Sequence, residues 1–406
     1  MKIKQIIILT LLTIAFQVYS ANPRRYITHD GSGLRDGSSW ENAGGAEELE
    51  DIIDSIQDAD FWIAKGTYKP SRNVSDPEDE RDMTFLPNHN NIYGGFAGYE
   101  TDLSQRDIKN NETIFSGDIG IEGDNSDNCY HVMRAVPILD GVTVRDGNAN
   151  GHVNPNAYGG GVYVWGYDSV FRNCTFRDNY ASQQGGAVFM DSWGYDVTFE
   201  NCLFYNNETN YGGGGAILCY RENTLIINCT FVKNRVNVSG IVSFTGNITG
   251  LKMTNNIFWQ NTGNAIQYDN YYYGGYIFHN AIEGGYAGIT NINLSPSNAG
   301  DANSPYFTDP DHHDYSLQSL SPCIDAGVYW NVSCETDITG SLRPQGSGWD
   351  IGAYEYNNGP LTAVLPSVST LSPEFTTVST ARVRGIVTDD GGAQMITKGV
   401  YYSTTP

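Results

Sequence analysis

Phe171-Arg172-Asn173-Cys174-Thr175-Phe176-Arg177-Asp178-Asn179 is the stretch on which the fold turns, because the chain goes on repeating it. It returns as Phe199-Glu200-Asn201-Cys202-Leu203-Phe204-Tyr205-Asn206-Asn207 and as Ile226-Ile227-Asn228-Cys229-Thr230-Phe231-Val232-Lys233-Asn234. A fourth copy is Met253-Thr254-Asn255-Asn256-Ile257-Phe258-Trp259-Gln260-Asn261, and a weaker one surrounds Phe278 to Ile282. The first asparagine of each copy steps through 173, 201, 228, 255 and 280, giving periods of 28, 27, 27 and 25. A second element keeps pace, as Gly160-Gly161-Val162, Gly185-Gly186-Ala187-Val188, Gly214-Gly215-Ala216-Ile217 and the decayed Ser239-Gly240-Ile241-Val242.

Each period holds three short β-type runs and no helical pattern. A unit of that size cannot bury its own apolar face and must stack on a neighbour, which predicts the coils of a parallel β-helix. Leucine-rich repeats have a similar length but need a Leu spacing that is absent. Phe171 points inward, Asn173 sits at a bend that changes the side-chain phase, and Cys174 and Phe176 then point inward again. Stacking gives a Phe171/Phe199/Ile226/Met253 column, a Cys174/Cys202/Cys229/Asn256 column and a Phe176/Phe204/Phe231/Phe258 column. The bend residues Asn173, Asn201, Asn228 and Asn255 are expected to form a structural ladder whose amides bond the rungs above and below.

The Phe-x-x-Asn units (Phe176 to Asn179, Phe204 to Asn207, Phe231 to Asn234, Phe258 to Asn261) resemble the repeats of polymorphic outer membrane proteins. Gly185 to Val188 and Gly214 to Ile217 resemble their companion Gly-Gly-Ala repeats. The resemblance implies an all-β, right-handed, pectin-lyase-like solenoid exported to or beyond the outer membrane of a diderm bacterium, with adhesion as the common role. Asp30 to Gly33, Ser39-Trp40, Gly66 to Tyr68 and Tyr93 to Thr101 are similar to segments of a broader group of secreted β-helix proteins. Ser321 to Gly327 and Asp350 to Glu355 resemble the closing, choice-of-anchor segment of that group. No series of ~10-residue alternating strands of the autotransporter type follows, so self-transport through the outer membrane is not supported.

Lys2 and Lys4 precede an apolar run from Ile6 to Phe16, with cleavage expected after Ser20, so residues 1–20 read as a signal peptide. Its 11 residues fall well short of the ~20 of a spanning helix, and no other segment could span a bilayer. Residues 21–115 read as an N-terminal cap and first coils, 116–300 as the repeats and 301–357 as the closing segment. Leu49, Ile52, Ile53 and Ile56 mark an amphipathic capping helix near 46–57, ahead of the strand-like Phe61 to Ala64. Asn357-Asn358-Gly359-Pro360 opens a linker reaching residue 365, and 366–406 resembles part of an immunoglobulin/fibronectin-like module, which needs ~100 residues when whole.

Composition agrees. Charged residues are 17%, while 46 Gly, 38 Asn and 27 Tyr favour a turn-dense, strand-rich chain over a helical bundle. Without Lys2 and Lys4 the chain carries 21 basic against 46 acidic residues, a charge of −25, which argues against a nucleic-acid partner. Seven cysteines are an odd number. Cys174, Cys202 and Cys229 read as packing residues, and Cys323 with Cys334 as either a local bridge or two free thiols.

Counting back from the first core column gives Trp165, Trp193 and Tyr220, then Tyr167, Tyr195 and Glu222, then Asp168, Asp196 and Asn223. At ~4.8 Å per rung this is an aromatic stripe edged by carboxylates, a glycan platform or else a cover for the corner turns. The leading function is an adhesin-like, glycan-binding or cell-surface-binding protein. The alternative is a polysaccharide lyase or glycoside hydrolase on the same scaffold, and a plain spacer is a third reading. No catalytic set is recognisable among Asp168, Asp196, Arg172, Arg177, Arg221 and Arg235, so the enzyme question leans towards no. Arg172 and Glu200 read as an exposed cross-strand ion pair. Asp118, Glu122, Asp124, Asn125 and Asp127 form an oxygen-rich loop that suits Ca²⁺ without EF-hand spacing, or is simply solvated; no other cofactor is expected. His312-His313 beside Asp309, Asp311 and Asp314 reads as a surface turn before a metal site.

Overall fold

The computed structural model describes residues 22–357, apart from 135, 167, 193–195, 247–248, 269–274, 288–289, 296–303 and 330–334, together with strands 367–376 and 381–389. Three nine-stranded sheets wind into a solenoid in which each rung pairs in parallel with the next. The first face carries Ser169–Arg172, Asp196–Glu200, Asn223–Ile227 and Lys252–Thr254. The second carries Thr175–Arg177, Leu203–Tyr205, Thr230–Val232 and Ile257–Trp259. The third carries Val162–Val164, Val188–Met190, Ile217–Cys219 and the long Arg235–Phe244.

The register follows the repeat. Phe171 pairs with Phe199, Phe199 with Ile226 and Ile226 with Met253, all buried. Phe176, Phe204, Phe231 and Phe258 stack with ring centroids 4.8, 4.8 and 4.6 Å apart, the spacing of neighbouring strands. Cys174, Cys202 and Cys229 are buried, each thiol donating to a carbonyl two residues earlier (Arg172, Glu200, Ile227). Beyond them the column continues as amides: Cys229 N–H bonds Asn256 Oδ1 at 2.9 Å, and Asn256 N–H bonds Asn280 Oδ1 at 3.0 Å.

Asn173, Asn201, Asn228 and Asn255 are left-handed, with φ between 51° and 56°, which is what changes the phase between the first two faces. Their ladder is interrupted, contrary to the expected continuous run. Asn201 Nδ2 reaches Asn173 Oδ1 at 3.2 Å and Asn255 Nδ2 reaches Asn228 Oδ1 at 3.0 Å, but Asn201 Oδ1 and Asn228 Nδ2 are buried without a partner. The continuous ladder is formed by the last residue of each copy. Asn179 Nδ2 bonds Asn207 Oδ1 at 3.0 Å, Asn207 bonds Asn234 at 2.9 Å and Asn234 bonds Asn261 at 3.1 Å.

At the N-terminal end, helix Leu49–Ser55 buries Leu49, Ile52 and Ile53 in the cluster that holds Ile27, Phe61 and Ile63. The closing segment pairs Phe307–Asp309 with Asp314–Leu317 in antiparallel fashion and lies along the outer side of the second face. There Phe307, Tyr315 and Ile351 pack with Tyr205, Val232 and Trp259. Its backbone is tied to the rungs: Ala353 N–H bonds Thr230 Oγ1 at 2.9 Å, and Asn201 Nδ2 bonds the Thr336 carbonyl at 2.7 Å. Arg172 and Glu200 do pair, at 3.2 Å, but Glu200 is buried and not exposed as expected, since it ends the strand beside Asn201, where the closing segment is bound. Strands Ser367–Thr376 and Ala381–Asp389 form an antiparallel pair. Among the described residues no helix is long and apolar enough to cross a membrane.

Candidate functional site

On the third face the inward residues are Val162, Val164, Val188, Met190 and Ile217, so the middle residue of each three-residue strand points outward. The register joins Arg134, Tyr163, Phe189, Leu218 and Ser243 into one outer column. Tyr163 and Phe189 stack at 5.2 Å, Tyr158 stacks on Phe189 at 4.9 Å, and Tyr220 meets Phe189 edge-on at 5.9 Å. His131 lies 5.3 Å from the Tyr163 ring; burial pushes it down to about 3, so this imidazole is neutral. The Arg134 guanidinium stands 5.5 Å from the Tyr163 ring, within cation–π range.

One end of the column opens into a cleft of about 440 Å³ lined by Val74, Leu86, Asn88, His89, Arg134, Tyr163, Trp165 and Gly166. Its far wall is the excursion between strands Gly66–Tyr68 and Asn91–Phe96, held to the solenoid by Phe85 N–H to the Val132 carbonyl at 3.1 Å and by Arg134 N–H to the Phe85 carbonyl at 2.9 Å. Trp165 is 54% exposed. Burial lowers Arg134 from its ordinary value, against the pull of Asp82. That carboxylate already accepts the backbone N–H groups of Ser75 and Asp76. The cleft therefore offers an open indole face, a Tyr wall, a guanidinium and an imidazole within an acidic chain.

Of the expected stripe, Trp165 opens onto this cleft, whereas Tyr220 is half-buried against Phe189. Trp193, Tyr167 and Tyr195 lie outside the described residues. Asp168, Asp196 and Glu222 are exposed, with Asp196 N–H bonded to Asp168 Oδ1 at 3.0 Å and Asn223 Nδ2 to Asp196 Oδ1 at 2.8 Å. Those bonds continue the corner as a polar ladder. His312 bonds Asp309 at 2.8 Å while His313 stacks on Tyr205 at 4.8 Å, so the two rings serve a surface turn and a packing contact. Among the described residues no group of three His, Cys, Asp or Glu side chains comes together for a metal. Cys323 is a free, buried thiol, and Cys334 lies outside the described residues.

Arg134, His89, Tyr163 and the excursion were missed by counting back from the repeat. Tyr163 and Phe189 could have been found, because each follows a Gly-Gly element at the centre of an apolar triplet.

Residues 100–284 match the family model described as right handed beta helix region. The fold is a right-handed parallel β-helix. Among solved structures it is similar to the crystal structure of pectate lyase Pel9A, with a TM-score of 0.36 and 12% identity over 83% of this chain and 97% of that one. No curated protein matches the chain.

Proposed function

We propose that this is an exported, surface-exposed β-helix that binds glycan at the Trp165 cleft, the open end of the outer column of its third face. The observation that carries the reading is Trp165, a large aromatic left half in solvent at the mouth of a cleft that also holds Tyr163, Arg134 and His89. Sugar rings have apolar faces that stack on indole and phenol rings, and their hydroxyl or carboxylate groups take charge-assisted bonds from a guanidinium. The apolar remainder of the column, Phe189 and Leu218, is already covered, so recognition concentrates at the open end. Export to the cell surface is supported by the N-terminal apolar run and by the resemblance of the repeats.

The test is a glycan array on the chain from residue 21 onward, run beside a product assay on acidic polysaccharides. Trp165→Ala should weaken binding roughly tenfold or more, the scale of losing a central aromatic contact, without altering the melting temperature. Unchanged binding moves the site elsewhere. Turnover to unsaturated or newly reducing ends replaces the binding reading with the enzymatic one.

A further inference from the structure

We infer that the Trp165 cleft selects a glycan bearing an isolated carboxylate, with Arg134 as the residue that recognises the acid; this rests on the glycan reading of the same cleft and names its ligand class. Among the described residues three arginines are buried, Arg134, Arg221 and Arg343. Arg343 pairs with Glu355 at 3.0 Å and Arg221 with Asp191 at 3.5 Å. Arg134 pairs with no carboxylate, although the chain holds 46 acidic residues against 23 basic ones. Asp82, the carboxylate whose charge it feels, is turned to the backbone N–H groups of Ser75 and Asp76.

The guanidinium is held but not sealed in the core. Nη1 donates to Ser75 Oγ in a long bond of 3.4 Å, while Nε and Nη2 make none. All three side-chain nitrogens of Arg221 are buried without a hydrogen-bond partner, whereas none of those of Arg134 is, so its unbonded nitrogens touch solvent, and the open space beside them is the cleft that the residue lines. Only 8% of Arg134 is exposed. A charge buried to that degree is costly until an opposite charge meets it, and the planar fork of a guanidinium takes both oxygens of one carboxylate.

Acid and ring are recognised side by side. Met133–Arg134 and Val162–Val164 are neighbouring strands with Arg134 opposite Tyr163, and Trp165 follows two residues further along. A spacing of ~4.8 Å between strands and a rise of ~3.3 Å per residue put the Arg134 and Trp165 Cα atoms roughly 8 Å apart. Both side chains line the cleft, so one sugar residue can lay its apolar face on the indole and turn its acid group to the guanidinium. The surroundings limit the charge. Asp168 and Asp196 are exposed at the corner beyond Trp165, and Asp76, Glu78 and Glu80 are exposed on the excursion that forms the far wall. Arg134 is the one guanidinium lining the cleft, so the further carboxylates of a polyuronate would meet acids, and like charges repel over a Debye length of ~8 Å at physiological ionic strength. The site therefore suits an otherwise neutral oligosaccharide with an acid at one position.

The probes are matched pairs on one array, each an otherwise neutral oligosaccharide with a single glucuronate and its carboxyl-reduced counterpart, printed beside hexagalacturonate. Among the pairs that bind, the wild-type chain should hold the glucuronate member roughly tenfold or more tightly than the reduced one, the scale of a hydrogen bond to a charged group, and hexagalacturonate more weakly than that member. This comparison needs no variant, so it decides the matter even where Arg134→Gln does not fold. In folded protein Arg134→Gln should erase the preference, Arg134→Lys should keep part of it, and Trp165→Ala should weaken both members while keeping their ratio. Equal binding of the pair by wild type overturns the acid selection and leaves the glycan reading standing, whereas no binding to any member overturns both. A preference that survives in Arg134→Gln, or hexagalacturonate bound most tightly, overturns the assignment of an isolated acid to this arginine.

Discussion

Two asparagine columns run the length of the same repeat, six residues apart, and they are built for different purposes. In the inner one, Asn207 Oδ1 accepts Asn179 N–H at 3.2 Å and Asn179 Nδ2 at 3.0 Å, while Asn207 Nδ2 reaches the Phe176 carbonyl at 2.9 Å. Asn234 repeats the scheme on the next rung. In the outer one, the bend column, Asn201 and Asn255 divide their amides between a neighbouring rung and the closing segment, and one link is missing. The left-handed positions explain why. At the corner before the inner column φ is positive at Asp178, Asn206, Lys233 and Gln260, so several residue types tolerate that conformation. The residue after that corner is Asn in all four copies, because only an amide accepts from the rung on one side and donates to the rung on the other.

The largest effect should come from Asn207→Ala. It strands the Asn179 N–H and the Phe176 carbonyl in the core, and at ~1–3 kcal/mol for each buried group left unpaired the loss is on the order of 4 kcal/mol. Asn201→Ala removes bonds to Asn173 and Thr336 and places alanine at φ 53°, so about 2 kcal/mol is expected. Chemical denaturation measures both. Equal losses would erase the distinction between the columns.

A smaller effect separates them by pH. The closing segment held by the bend column contains Asp350 and Glu355, pushed by burial up to about 6 and about 7, the latter against its 3.0 Å ion pair with Arg343. Both folded values lie above the unfolded ones, so their contribution is full below about pH 4 and is lost as pH rises through 6 to 7. Limited proteolysis of residues 320–357 should therefore quicken between pH 5 and 8 while the rungs stay protected. Cleavage that slows over that range would contradict the sign.

The rungs, their register and the inward phenylalanines were legible because a stacking repeat writes its contacts at a fixed period. Which asparagine column carries the ladder was not, since both are invariant within the chain and only the backbone direction at each corner decides between them. Trp165 was legible as an exposed aromatic. Its cleft was not, because Leu86 and His89 come from the excursion at residues 70–90, and Arg134, which pairs with Tyr163, lies on a strand that precedes the first clear copy of the repeat.

The most direct test of the inner ladder is a pair of double-mutant cycles, Asn207→Ala with Asn234→Ala and Asn201→Ala with Asn228→Ala, each pair on adjacent rungs. Asn207 and Asn234 share bonds of 3.1 and 2.9 Å, whereas Asn201 and Asn228 share none. Coupling in the first cycle should be on the order of 1–2 kcal/mol and in the second within ~0.5 kcal/mol of zero. Coupling in the second cycle that equals or exceeds the first would contradict the assignment of the ladder to the inner column.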